Sequence, residues 1–111
     1  MASPIINLSA LEREFEDACL AGIPEAQRLG YNPTRFLQMV GELGARETAR
    51  RLMNAQQYPE GFSRLWELGR LDLTIEAFVY DNPRFWALFD PQTLTNCDNR
   101  LREVGYLKRT E

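Results

Sequence analysis

The sequence contains no histidine, and with it go every Ser-His-Asp triad, Cys-His pair and histidine-ligated metal site. Cysteine is scarce: Cys19 and Cys97 stand far apart and form no CxxC pair. They are too few for a structural zinc site and too distant in sequence for a dithiol redox motif. No apolar run approaches the roughly 20 residues that cross a bilayer. The opening stretch MASPIINLSALERE has neither the basic start nor the long apolar core of a signal peptide. Basic excess is missing too, since the net charge is −3. Residues 1–56 carry 6 basic and 7 acidic side chains and residues 57–111 carry 7 and 9, so neither half hides a basic domain. That balance counts against a dedicated nucleic-acid binder. Lysine is nearly missing: of 13 basic residues all but Lys108 are arginine, a side chain suited to defined carboxylate pairs. These absences lead to the expectation of a cytoplasmic domain without metal, cofactor or membrane segment, its two cysteines buried as free thiols.

What remains is 111 residues, 44% hydrophobic and 26% charged, enough for one compact domain. The apolar spacing is helical nearly throughout. Ser9 and Glu12 have the spacing of a capping box, followed by the apolar face Leu11, Phe15, Ala18 and Cys19. A short helix from Pro24 to Leu29 stops at Gly30, and Asn32-Pro33 starts the next, with Phe36, Met39, Val40 and Leu43 inward. Gly44 is a C-terminal stop signal, and Ala45 to Asn54 reads as a separate helix or a bent continuation, with Ala49, Leu52 and Met53 facing inward. On the outer side Glu42, Arg46 and Arg50 form an i, i+4 ladder beside Glu47 and Arg51. Residues 55–61, AQQYPEG, read as a loop, and Phe62, Leu65 and Trp66 then repeat at helical spacing up to Gly69. Leu71 to Tyr80 begins with strand-like alternation, but a lone strand has no partner here. Asp72 as N-cap favours a helix. Asn82-Pro83 and Asp90-Pro91 start the last two helices, the second with Leu94, Cys97, Leu101 and Val104 on one face before Gly105. The fold expected is all-α, a compact orthogonal bundle of about six or seven short helices forming a single domain over 1–111, frayed at about 1–8 and 108–111.

Three groups of residues can carry a function. The run RFWALF offers Phe85, Trp86 and Phe89, with Tyr80 nearby, as an aromatic surface for a protein partner, because so short a helix cannot bury every large ring. Arg46, Arg50 and Arg51 offer phosphate contacts for a nucleic acid, helped by Arg28 or Arg35. Asp72 and Glu76, four apart, share one helical face and form a carboxylate pair suited to acid-base work or a hard metal. Against that reading, Arg64 or Arg70 bonding Asp72 or Glu76 makes the cluster a set of structural ion pairs instead.

GFSRLWELGRLDLTIEAFV, taken with NPTRFLQMVGELGARETARRLM, resembles a segment that recurs in uncharacterised bacterial proteins. The resemblance covers roughly residues 28–107, and GF..LW..GRLDLT.EA is its most specific part. It implies a helical accessory module of bacterial or phage origin and brings no catalytic residue with it. The sequence thus points first to a non-enzymatic protein-protein interaction module, a regulator, adaptor or inhibitor that binds another protein or itself. A nucleic-acid-binding accessory domain is the second reading and a carboxylate-dependent enzyme the third.

Overall fold

The computed structural model describes residues 7–106. Among them run seven α-helices and two 3₁₀ turns with no strand, an all-α bundle. In chain order the helices are α1 (Leu8–Ala21), α2 (Ile23–Arg28), α3 (Thr34–Leu43), α4 (Ala45–Met53), α5 (Glu60–Glu67), α6 (Ile75–Asp81) and α7 (Pro91–Glu103). The 3₁₀ turns are Leu71–Leu73, before α6, and Pro83–Leu88, after it. The expected fraying of residues 1–6 and 108–111 lies outside the described residues, whereas Asn7 and Leu8 already belong to the start of α1.

Several starts differ from expectation. The cap of α1 is Asn7, whose side chain accepts from the Ala10 amide at 3.1 Å, and Ser9 lies inside the helix. Asn7 wins because its short carboxamide stands outside the first turn, where orphan amides point. Pro33, not Asn32, takes the N-cap position of α3. The segment after Gly69 splits in two: Leu71–Leu73 winds as 3₁₀, and Thr74 in extended backbone then caps α6 by accepting from the Ala77 amide at 3.1 Å. Asp72 is therefore not the cap. The loop before α5 ends two residues early, since Glu60 and Gly61 are already helical.

Gly44 carries a positive φ of +85° between α3 and α4, a conformation that side-chain-bearing residues rarely adopt. With no side chain there to cap α4, Glu16 of α1 accepts from the Ala45 amide at 2.9 Å. An acidic group at a helix start is also favoured by the helix dipole. Glu12, one turn earlier, pairs with Arg46 at 3.0 Å. The expected ladder through Glu42 is not formed: Arg46 turns to Glu12 and to the Leu88 carbonyl, and Glu42 accepts from Gln38.

The core centres on Phe15, fully buried among Phe85, Phe89 and Phe78 at centroid distances of 5.2, 5.6 and 5.8 Å. Ala45, Ala49 and Met53 of α4, Ala77 and Val79 of α6, and Cys97 and Leu101 of α7 complete it. The small residues on α4 and α6 let these helices approach closely around the rings. Leu43, expected inward, is exposed, as is Trp66 at 45%. On α5 the i, i+3 pair Phe62 and Leu65 takes the inner face and leaves Trp66 at its edge, 6.0 Å from the Tyr58 ring.

Candidate functional site

Pro83–Leu88 is wound as 3₁₀, three residues per turn, so residues three apart share a face. Phe85 and Leu88 consequently both point inward, at 4% and 2% exposure. Phe89, where the chain turns extended, is also buried. The expected four-residue aromatic surface is therefore corrected: Phe85 and Phe89 are core side chains around Phe15. Trp86 stays outside at 39% exposure, with half-buried Tyr80 6.5 Å away between ring centroids. The indole N–H donates to the Val79 carbonyl at 2.7 Å, which fixes the ring against the last turn of α6. Arg84, next to this turn, pairs with Glu14 of α1 and lies over the Phe85 ring at 5.1 Å.

The arginine face is already neutralised. Arg50 donates to both oxygens of Glu47 at 2.8 and 2.7 Å, and Arg51 reaches the same carboxylate at 2.9 Å. The two guanidinium groups hold the Glu47 carboxyl down at about 2. Arg46 is tied to Glu12 and the Leu88 carbonyl, and Arg28 to Glu25. Phosphate binding here would have to break these contacts. The surrounding polar cleft adds Glu12, Glu16 and Asp90 to its lining, which further weakens the field an anion would meet.

The carboxylates of the third group part company. Asp72 is exposed and takes a two-bond contact from Arg70, at 2.9 and 3.0 Å. Arg70 also reaches Glu25 of α2 at 2.8 Å, so it ties α2 to the start of the 3₁₀ turn. Glu25, bonded by Arg28 and Arg70, is held at about 2. Glu76 instead lies in the interior, 1% exposed, where its carboxylate accepts from Arg100 of α7 at 2.8 Å. Arg64 bonds neither; it faces Glu67. Asp72 and Glu76 are thus each held by a different arginine and do not act as a carboxylate pair, and among the described residues no group of three His, Cys, Asp or Glu could hold a metal ion.

Arg100 is the residue that the sequence reading missed. Besides Glu76 it donates to the carbonyls of Leu52 and Ala55, at 2.9 and 2.6 Å. Its guanidinium lies over the rings of Tyr58 and Phe62, at 5.4 and 5.8 Å. One side chain therefore closes the C-terminal end of α4, anchors the loop to α5 and neutralises α6. Its place on α7 was a readable signal: Cys97, Arg100, Leu101 and Val104 fall at i, i+3, i+4 and i+7, so Arg100 stands within the apolar stripe.

The two cysteines are free; Cys97 is buried and Cys19 half-buried. Burial pushes both thiols up to about 12, helped at Cys19 by Glu16 and at Cys97 first by Glu76. Neither has the depressed pKa of a nucleophilic cysteine. No described helix is long and apolar enough to cross a membrane. The chain shows no match to a family model, a curated protein or a solved structure.

Proposed function

We propose that this chain is a non-enzymatic helical module that binds another protein, with the outer face of Trp86 as its anchor and Tyr80 beside it. The observation that carries the reading is that Trp86 is exposed while its indole N–H is hydrogen-bonded internally. The ring is 39% exposed, yet its only hydrogen-bonding group is satisfied internally by Val79. A partner that covers it gains apolar contact without leaving a polar atom unpaired and without ordering a loose side chain. Tryptophan held in this way is the typical centre of a binding hot spot. The neutralised arginine face and the separated carboxylates support the same choice over nucleic-acid binding and catalysis.

The test is purification of the tagged protein from its host, with and without nuclease. The expected result is a stoichiometric protein that survives nuclease and is lost with Trp86→Ala, while that variant keeps its helical circular dichroism. Material that disappears with nuclease would overturn the reading in favour of the arginine face.

A further inference from the structure

Helices α1 to α6 converge on a cavity of about 410 Å³. Its wall includes Cys19, Ile23, Phe36, Met39, Leu52 and Ile75, and all six are only half-buried. Most stand at inward positions of their helices, so these side chains face a space instead of one another. The Cys19 thiol, pushed up to about 12 by burial, stays neutral and belongs to this apolar wall. Water in so apolar a space finds few polar partners. The volume lies within the roughly 300–1,000 Å³ of small-molecule sites.

Tyr31, Arg35 and Arg51 line both this cavity and the polar cleft outside it, which makes them its mouth. Tyr31 is seated against α5 at Gly61, where a Cβ would come within 2.7 Å of its hydroxyl. Burial, with Glu60 nearby, keeps that hydroxyl protonated and thus a donor. Arg35 has no ion-pair partner among the described residues, and Arg51 shares the single carboxylate of Glu47 with Arg50. Glu60 is the acidic group at the mouth and Glu42 lies in the outer cleft. Asp72 and Glu76 also touch the wall, but Arg70 and Arg100 already hold them. The donors available to a ligand are therefore Arg35 and Tyr31, joined by the terminal nitrogens of Arg51, whose Nε alone is engaged by Glu47.

We propose that the cavity binds one amphipathic small molecule, an apolar chain ending in a carboxylate. The chain lies among Phe36, Met39, Leu52 and Ile75, and the carboxylate faces Arg35 and Arg51. This site is separate from the Trp86 surface, since Trp86 lines no part of the cavity.

Calorimetry on the full, delipidated chain tests it with dodecanoate, dodecanol and dodecyltrimethylammonium, each below its micelle concentration. Dodecanoate is expected to saturate at one per chain and to bind more tightly than the other two. Arg35→Gln with Arg51→Gln should weaken dodecanoate about tenfold or more, the loss of charge-assisted bonds, and leave dodecanol unchanged. Cys19→Phe, which fills the cavity, should abolish binding of both; Met39→Phe on another wall serves the same purpose if that variant does not fold. Trp86→Ala should bind dodecanoate as the parent does, so failure here and failure of the protein-binding surface are read separately. Absence of saturable binding, or binding that neither filling variant blocks, overturns the proposal. Tighter binding of dodecanol or of the ammonium overturns the carboxylate assignment. A dimer dispersed by Cys19→Phe would give the cavity to a second copy of the chain.

Discussion

Arg100 and Glu76, 24 residues apart in sequence, meet in the interior at 2.8 Å, with side-chain exposures of 8% and 2%. Removing one partner of such a pair costs about 3–5 kcal/mol, because the other charge is left unpaired. Arg100→Ala should show a loss of this size in urea unfolding near neutral pH, and it also strands the carbonyls of Leu52 and Ala55. Burial raises the Glu76 carboxyl above its ordinary value of 4.5, and Arg100 opposes that rise. Without Arg100 the folded state binds the Glu76 proton more tightly than the unfolded state. The deficit relative to the parent should therefore be largest near neutral pH and shrink as pH falls toward about 4.5. A deficit independent of pH would show that the carboxylate is not what Arg100 stabilises.

Adjacent residues on the 3₁₀ turn should respond in opposite ways. Phe85 is 4% exposed and packs edge-on against Phe15, whereas Trp86 is 39% exposed. Phe85→Ala opens a core cavity and should cost about 3–5 kcal/mol. Trp86→Ala loses one hydrogen bond and partial burial, a change of about 1–2 kcal/mol. Chemical denaturation of the two variants checks the ordering. Equal losses would mean that the turn does not present Trp86 outward.

Local signals in the sequence reported the helices well and their relationships poorly. Gly30, Gly44 and Gly105 all adopt positive φ at the ends where the sequence places stops. The choice of helix over strand at Leu71–Tyr80 also holds, though Thr74 breaks the segment. The aromatic run failed for a physical reason: a period of 3.6 spreads Phe85, Trp86 and Phe89 round a helix, whereas a 3₁₀ turn with period 3 puts Phe85 and Leu88 inside and Trp86 outside, and the extended backbone at Phe89 then turns that ring inward as well. The place of Arg100 within the apolar stripe of α7 was legible, but its partner is 24 residues away and no local spacing encodes the pair. Apolar stripes on α1, α3 and α4 look the same whether they meet another helix or line an open cavity, so the cavity left no trace in the pattern.

Caps give a test that separates the sequence expectation from the structure. Asn7 and Thr74 accept from amides in the first turns of α1 and α6, and Glu16 does so for α4. Replacing any one by Ala should cost about 0.5–2 kcal/mol. Ser9→Ala, inside α1, should be close to neutral, because Ser9 is exposed and caps nothing. Thermal unfolding of the four variants measures this directly, and a larger loss at Ser9 than at Asn7 would restore the capping box.

The surface carboxylates set the acid response. Glu25, bonded by Arg28 and Arg70, and Glu47, bonded by Arg50 and Arg51, both titrate at about 2 in the folded chain, against an ordinary value of 4.5. Their folded pKa values are depressed, so the stability they contribute is present above about pH 4.5 and is lost as pH falls toward 2. Glu25→Gln with Glu47→Gln should therefore flatten the melting temperature across that window while lowering it at neutral pH. Both groups are solvent-exposed, and salt should reduce the difference between parent and variant. The buried Glu76 works in the opposite sense, since its raised carboxyl favours the folded state on protonation. If the double variant loses melting temperature in acid as steeply as the parent does, the acid sensitivity lies elsewhere than in these arginine-held carboxylates.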